Sequence, residues 1–163
     1  MIDLEGNKTD MYYNVQRINA DINTVGKKLL PCHADGAILG ATAYYPLFDN
    51  NGIGRTKYGP IKKAVGSQSI LVGCFRDARI SENGDNYKGY KALVMSQMPN
   101  RTISAKITLE SSINKITFTH NNTTQTVELF DAMSTTVGDI SISFTNSLLT
   151  LGIPDGEAVL LEF

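Results

Sequence analysis

Val15, Ile18, Ile22, Val25 and Leu29 step along the chain by 3, 4, 3 and 4 residues, which on an α-helix puts all five on one stripe. Gln16, Arg17, Asp21, Asn23 and Lys27 fall elsewhere, so the spacing predicts an amphipathic helix over about 10–29. Asp10 is placed to cap its free N-terminal amides, Lys27 and Lys28 suit the negative end of its dipole, and Pro31 closes it. Gly26 costs about 1 kcal/mol inside a helix, which implies a last turn that frays or fits tightly against a neighbour.

Beyond Pro31 the period falls to two and the residues shift toward Val, Ile, Thr, Phe and Tyr. Ile103, Ala105, Ile107 and Leu109 alternate with Thr102, Ser104, Lys106 and Thr108, as a strand with one buried face must; Ile140, Ile142 and Phe144 repeat the pattern. Further strands are predicted at 38–42, 61–65, 69–75, 90–97, 115–120, 125–130, 147–151 and 158–162. The segments between carry turn chemistry, among them Asp49-Asn50-Asn51-Gly52, Asn121-Asn122, Gly138-Asp139 and Asn146-Ser147. From Ile70 onward no linker is long enough for the crossover that parallel neighbours need, so the pairing is expected to be antiparallel. The fold class that follows is mainly β, an antiparallel β-sandwich with one N-terminal amphipathic helix, with a barrel as second choice. Residues 1–31 form the helical segment and 32–163 the sandwich; the connection 130–138 is left without firm structure.

A length of 163 residues fits one domain with an appended element, and 42% hydrophobic against 19% charged residues is the balance of a globular chain. The formal net charge of −1 supplies no field to gather a polyanion, so nucleic acid is not an expected partner. No apolar run approaches the roughly 20 residues of a membrane-spanning helix, and Met1-Ile2-Asp3-Leu4-Glu5 is not a basic leader. No membrane partner is expected, and the compartment stays open. Cys32 and Cys74 predict no disulfide framework; Cys74, inside Ile70-Leu71-Val72-Gly73-Cys74-Phe75, reads as a small buried hydrophobe.

Chemistry-bearing patterns are sparse. His33 and His120 are too few for the usual metal sites, and Cys32-His33 has no spaced partner pair, so no metal ligands are assigned. His120, ending a strand beside Asn121-Asn122, reads as a polar ring in a turn. Gly52-Ile53-Gly54-Arg55 lacks the third glycine and the following helix of a phosphate loop, and no Gly-x-Ser-x-Gly elbow marks a nucleophile. Asp49-Asn50-Asn51-Gly52 and Asn83-Gly84-Asp85-Asn86 do not extend into calcium loops. Glu110, Glu128, Glu157 and Glu162 lie in or beside strands without the facing arrangement that glycoside hydrolysis needs. No catalytic residue and no cofactor is therefore expected. Tyr44, Tyr45 and Tyr58 gather in a loop-rich region with Asn50 and Asn51, where flat rings beside amides are candidates for stacking on sugars. The absence of Trp, the largest such platform, weighs against a dedicated sugar face.

The helix text Tyr13-Asn14-Val15-Gln16-Arg17-Ile18-Asn19-Ala20-Asp21-Ile22 resembles the final helix of the (β/α)8 barrel in retaining glycoside hydrolases. Ser69-Ile70-Leu71-Val72-Gly73-Cys74-Phe75-Arg76-Asp77 followed by Gly89-Tyr90-Lys91-Ala92-Leu93-Val94-Met95-Ser96-Gln97 is similar to the hairpin opening the C-terminal β-sandwich of those enzymes, with Gln97 where an Asn is common. Ile140-Ser141-Ile142-Ser143-Phe144, Leu149-Thr150-Leu151 and Asp155-Gly156-Glu157-Ala158-Val159-Leu160-Leu161 resemble its last strands. The likeness covers nearly the whole chain, through the order of its parts. It implies a non-catalytic accessory domain of a glycoside hydrolase, whose catalytic acids lie on barrel strands that this sequence does not contain. Val15, Ile18, Ile22, Val25 and Leu29 would then pack against the catalytic barrel, or against a second copy. An autonomous carbohydrate-binding or adhesive module using Tyr44, Tyr45 and Tyr58 on an oligosaccharide is the alternative, and a virion or surface structural domain a third.

Overall fold

The computed structural model describes residues 2–40, 56–67, 70–80, 87–96 and 101–163. Helix α1 spans Asp10–Leu29, the range the apolar period predicts. Thr9, not Asp10, takes the N-cap position in extended backbone; Asp10 sits one residue inside, where its charge still meets the positive end of the dipole. At the other end the Leu30 N–H donates to the Gly26 carbonyl at 2.8 Å. A Cβ on Gly26 would meet nothing within 4 Å, so the tight neighbour expected there is not the reason the glycine is tolerated.

Among the described residues eleven strands follow: β1 (Cys32–Gly40), β2 (Ile61–Gly66), β3 (Ile70–Asp77), β4 (Tyr90–Ser96), β5 (Ile103–Leu109), β6 (Lys115–His120), β7 (Thr123–Glu128), β8 (Met133–Val137), β9 (Ile140–Thr145), β10 (Leu148–Ile153) and β11 (Ala158–Glu162). They form one sheet in the order β1-β3-β4-β11-β6-β7 and a second in the order β2-β5-β10-β9-β8. Every pairing is antiparallel. The two sheets bury their facing side chains against each other, which is the predicted sandwich. From the six-stranded sheet come Ile38, Val72, Cys74, Val94, Phe118, Val159 and Leu161; from the other come Ile61, Ile103, Ile107, Leu109, Ile142, Leu149 and Leu151. Burying each large side chain stabilises the fold by about 1.5–3 kcal/mol. Cys74 is among them, and neither Cys32 nor Cys74 is in a disulfide.

Two strands differ from the sequence reading. β1 starts at Cys32, six residues before the predicted Ile38, because a bulge between Ala34 and Gly36 breaks the alternation. As an edge strand paired only with β3, it tolerates a polar first half. β8 occupies the connection left unassigned: Met133 and Val137 point inward and the intervening Ser-Thr-Thr is wet on one side, too few apolar positions to signal a strand. The turn readings hold at Asn121-Asn122 and Asn146-Ser147, where both residues of each pair have positive φ, as a tight hairpin requires.

The last strand, β11, lies between β4 and β6. Val159 and Leu161 face the core, while Leu160 and Glu162 face the opposite side, as do Lys91 and Leu93 of β4. The end of α1 is fastened to this outer face by charge. Glu162 receives Lys28 on one oxygen and Lys91 on the other (3.1 Å), and the Lys91 ammonium also donates to the Lys28 carbonyl at 2.8 Å. One turn before Lys28 the Thr24 hydroxyl donates to Asn122 Oδ1 at 2.5 Å. Beside these tethers, and over the turns that precede them, α1 does not close on the sheet. A groove of about 540 Å³ remains, with Ile18, Ile22, Val25 and Leu29 on one wall and Leu93 on the other.

Asp77, at the end of β3, accepts from the Arg79 guanidinium (2.9 and 2.6 Å) and from the Arg79 backbone N–H (3.0 Å). The Arg79 side chain, then its backbone N–H, outweigh burial and hold the Asp77 carboxyl well below the usual carboxylate range. A folded pKa lower than the unfolded one gives stability that is present above about pH 4 and disappears as pH falls through the folded value. Melting temperature measured from pH 7 down to pH 2 is expected to drop along this acid limb, and Asp77→Asn to flatten it. Superimposable acid limbs in the two proteins would show that Asp77 carries none of it.

Candidate functional site

β6 presents Ile116, Phe118 and His120 on its inward face, and the first two enter the core. His120 continues that row at the end of the sandwich, where it is 2% exposed. It ends β6 beside the Asn121-Asn122 turn, as the sequence suggests, but as a buried ring and not as part of the turn itself. Around it three elements converge. Asp139 comes from the Gly138-Asp139 turn between β8 and β9 of the other sheet, and Glu157 from the residue before β11. Asn121 comes from the β6–β7 turn, where its left-handed backbone (φ 45°) folds it back beside the ring. Gly138 (φ 59°) lets the turn approach: an added Cβ there would lie 3.3 Å from His120 Cδ2.

The imidazole is held at both nitrogens. Nδ1 lies 2.9 Å from the Ala158 carbonyl, which can only accept, so Nδ1 carries a hydrogen and donates it. Nε2 faces Asp139 Oδ1 at 2.5 Å and Glu157 Oε2 at 2.9 Å. The Asn121 amide nitrogen sits among the same atoms, 2.9 Å from Nε2, 3.1 Å from Glu157 Oε2 and 3.3 Å from Asp139 Oδ1. Burial resists ionisation of Asp139, but the His120 hydrogen bond, a backbone N–H and the Asn121 amide outweigh it and leave the carboxyl below its ordinary value. Such a carboxylate accepts and ligates; it is a poor proton donor. One imidazole and two carboxylates brought together in this way are suited to holding a positive charge.

The site also opens on the groove, since His120, Asn121 and Glu157 lie on its floor opposite Asp21 and Ile22 of α1. None of these polar residues was singled out for function from the sequence. One signal was present: His120 has the parity of Ile116 and Phe118, which places it on the buried face. Asp139 and Glu157 looked like ordinary turn acids because their meeting depends on pairing between sheets.

Of the residues predicted to bind sugar, Tyr58 is described and is 4% exposed. Its ring packs edge-on to Tyr90 (5.2 Å between centroids), and its hydroxyl donates to Asp35 at 2.8 Å. Burial, then that hydrogen bond, pushes the hydroxyl far above its ordinary pKa. A ring so covered has no face free for stacking. Tyr44, Tyr45 and the Gly52-Ile53-Gly54-Arg55 segment lie outside the described residues. Of the predicted packing stripe, Val15, Val25 and Leu29 are half-buried, whereas Ile18 and Ile22 are 51% and 65% exposed. Cys32 donates to the Lys28 carbonyl, and burial pushes its thiol up, away from the thiolate that a metal would need.

No family model, curated protein or solved structure matches this chain. No described helix is long and apolar enough to cross a membrane.

Proposed function

We propose that this chain is a non-catalytic accessory module of a glycoside hydrolase, a β-sandwich that supports the catalytic barrel through its N-terminal helix. The observation that carries the reading is the state of α1: Ile18 and Ile22 stand more than half exposed over a groove that the sandwich leaves open. Met11, on the same stripe and 63% exposed, extends this apolar surface toward the start of the helix. Covering an isoleucine stabilises by up to about 1.5–3 kcal/mol, so a helix tethered by Lys28, Lys91 and Thr24 but with Ile18 and Ile22 left uncovered favours a partner that fills the gap. The likeness of the helix text to a terminal barrel helix names that partner as the barrel. The acids are compatible with a scaffolding role, because His120 spans Asp139 and Glu157 and, against burial, holds Asp139 below its ordinary value.

Two measurements test this. The isolated chain is expected to leave a panel of aryl glycosides unhydrolysed, and turnover that survives rigorous purification would overturn the assignment. In sedimentation velocity the chain is expected to self-associate with rising concentration, hiding the stripe in a second copy. Ile18→Asp combined with Ile22→Asp should return it to monomer while changing the unfolding free energy by less than about 1 kcal/mol, since both positions are exposed. A wild-type chain monomeric at high concentration and silent toward an apolar dye would sink the docking face.

A further inference from the structure

The geometry points to a divalent metal site at the end of the sandwich, made by His120 Nε2, Asp139 Oδ1 and Glu157 Oε2, for a first-row transition ion such as zinc. These three atoms lie within 4.8 Å of one another. Each becomes a ligand atom once an ion replaces the hydrogen between Nε2 and the carboxylates, and the Asn121 amide nitrogen is within reach of all three.

The surroundings have the form of a metal site's outer shell. The Ala158 carbonyl holds the hydrogen on Nδ1 and fixes the ring with Nε2 toward the carboxylates, the arrangement by which metal-bound imidazoles are oriented. Asn121 restrains both carboxylates. The adjoining groove supplies an entry path and a field of the right sign: Asp21, Asp155 and Glu157 line it with no lysine or arginine among the lining residues. Asp21 Oδ1 is buried there with no hydrogen-bond partner among the described residues.

One imidazole and two carboxylates give an N,O donor set that suits zinc, manganese or nickel better than calcium or magnesium, which seek oxygen alone. Bonds of about 2.0–2.2 Å at tetrahedral angles set ligand atoms about 3.3 Å apart. Asp139 would then retreat from Nε2 by less than about 1 Å, and its turn, with the side chain 53% exposed, has room to do so. A proton on Nε2 is the competing occupant. Where Nε2 is protonated, binding releases that proton to the buffer as the ion takes its place. The bound ion would join β6, the β8–β9 turn and the start of β11, and so fasten one sheet to the other.

The test is calorimetric titration of the chelator-stripped chain with zinc chloride near pH 7.5. One ion per chain is expected, with micromolar or tighter affinity, and Asp139→Asn and Glu157→Gln should each weaken it by about tenfold or more. Asp139 is exposed, so its variant is expected to fold, which circular dichroism checks. Cys32→Ser should leave binding unchanged and so separates this site from the Cys32-His33 pair. In nitrogen NMR the Nε2 resonance of His120 should move on zinc addition while Nδ1 stays protonated. Absence of saturable binding up to about 1 mM zinc, binding indifferent to both carboxylate variants, binding lost with Cys32→Ser, or tighter binding of calcium than zinc would each overturn the site. Because these readouts involve neither the helix stripe nor hydrolysis, they stand or fall independently of the accessory-module reading.

Discussion

Phe118→Ala is expected to lower the unfolding free energy by about 3–5 kcal/mol, the largest loss of any single truncation proposed for this chain. Phe118 is fully buried and is first in volume among the largest completely enclosed side chains. It stands on β6 opposite Leu161 of β11 and Gln125 of β7, so its ring fills space where three strands of one sheet meet the inner face of the other. Truncation removes the transfer free energy of the ring and leaves a cavity whose walls are backbone-paired strands that cannot collapse far. For a chain of this length the same loss corresponds to roughly 10 °C in melting temperature. Urea unfolding read by fluorescence and circular dichroism measures it. A loss below about 1 kcal/mol, at an unchanged denaturant slope, would mean that the ring does not hold the sheets together.

Gly59→Ala should cost about 3 kcal/mol, for two separable reasons. Gly59 has φ 48°, in the left-handed region that costs a residue with a Cβ about 1–2 kcal/mol. An added Cβ would also stand 2.3 Å from Tyr90 Cδ1, inside any real contact distance. The Tyr90 ring has little freedom to move, since Tyr58 and Tyr87 both pack edge-on against it. Overpacking of this kind costs about 1–3 kcal/mol more. Gly156 supplies the control: its φ is 64°, but a Cβ there meets nothing within 4 Å. Gly156→Ala should show the backbone part alone, and equal losses at the two glycines would refute the steric part.

Much of the architecture was legible because local pattern and burial agree. The 3,4,3,4 spacing of the stripe marks α1, and strict alternation marks β5 and β9, whose inward residues are the ones the sandwich encloses. β8 escaped because an edge strand needs only Met133 and Val137 to anchor it, and β1 because a bulge interrupts its period. The cap was misplaced by one residue, since Thr9 and Asp10 are both good caps and only the backbone angles choose between them. The His120 cluster was harder for a different reason. Its members lie up to 37 positions apart on two sheets, and nothing local to Asp139 or Glu157 records that a histidine waits opposite. Tyr58 shows the reverse error, an aromatic in loop-like text that folds inward once Asp35 and Tyr90 are beside it.

The position of β11 also shapes how this chain is made. β4 and β6 flank it, so until residues 158–162 emerge during synthesis each of those strands offers an unpaired edge where its neighbour belongs. The nascent polypeptide therefore carries two half-built sheets with open hydrogen-bonding rims, the form of surface that recruits other chains. Its yield in a cell should depend on how fast that final ribbon arrives and on what shields the gap meanwhile.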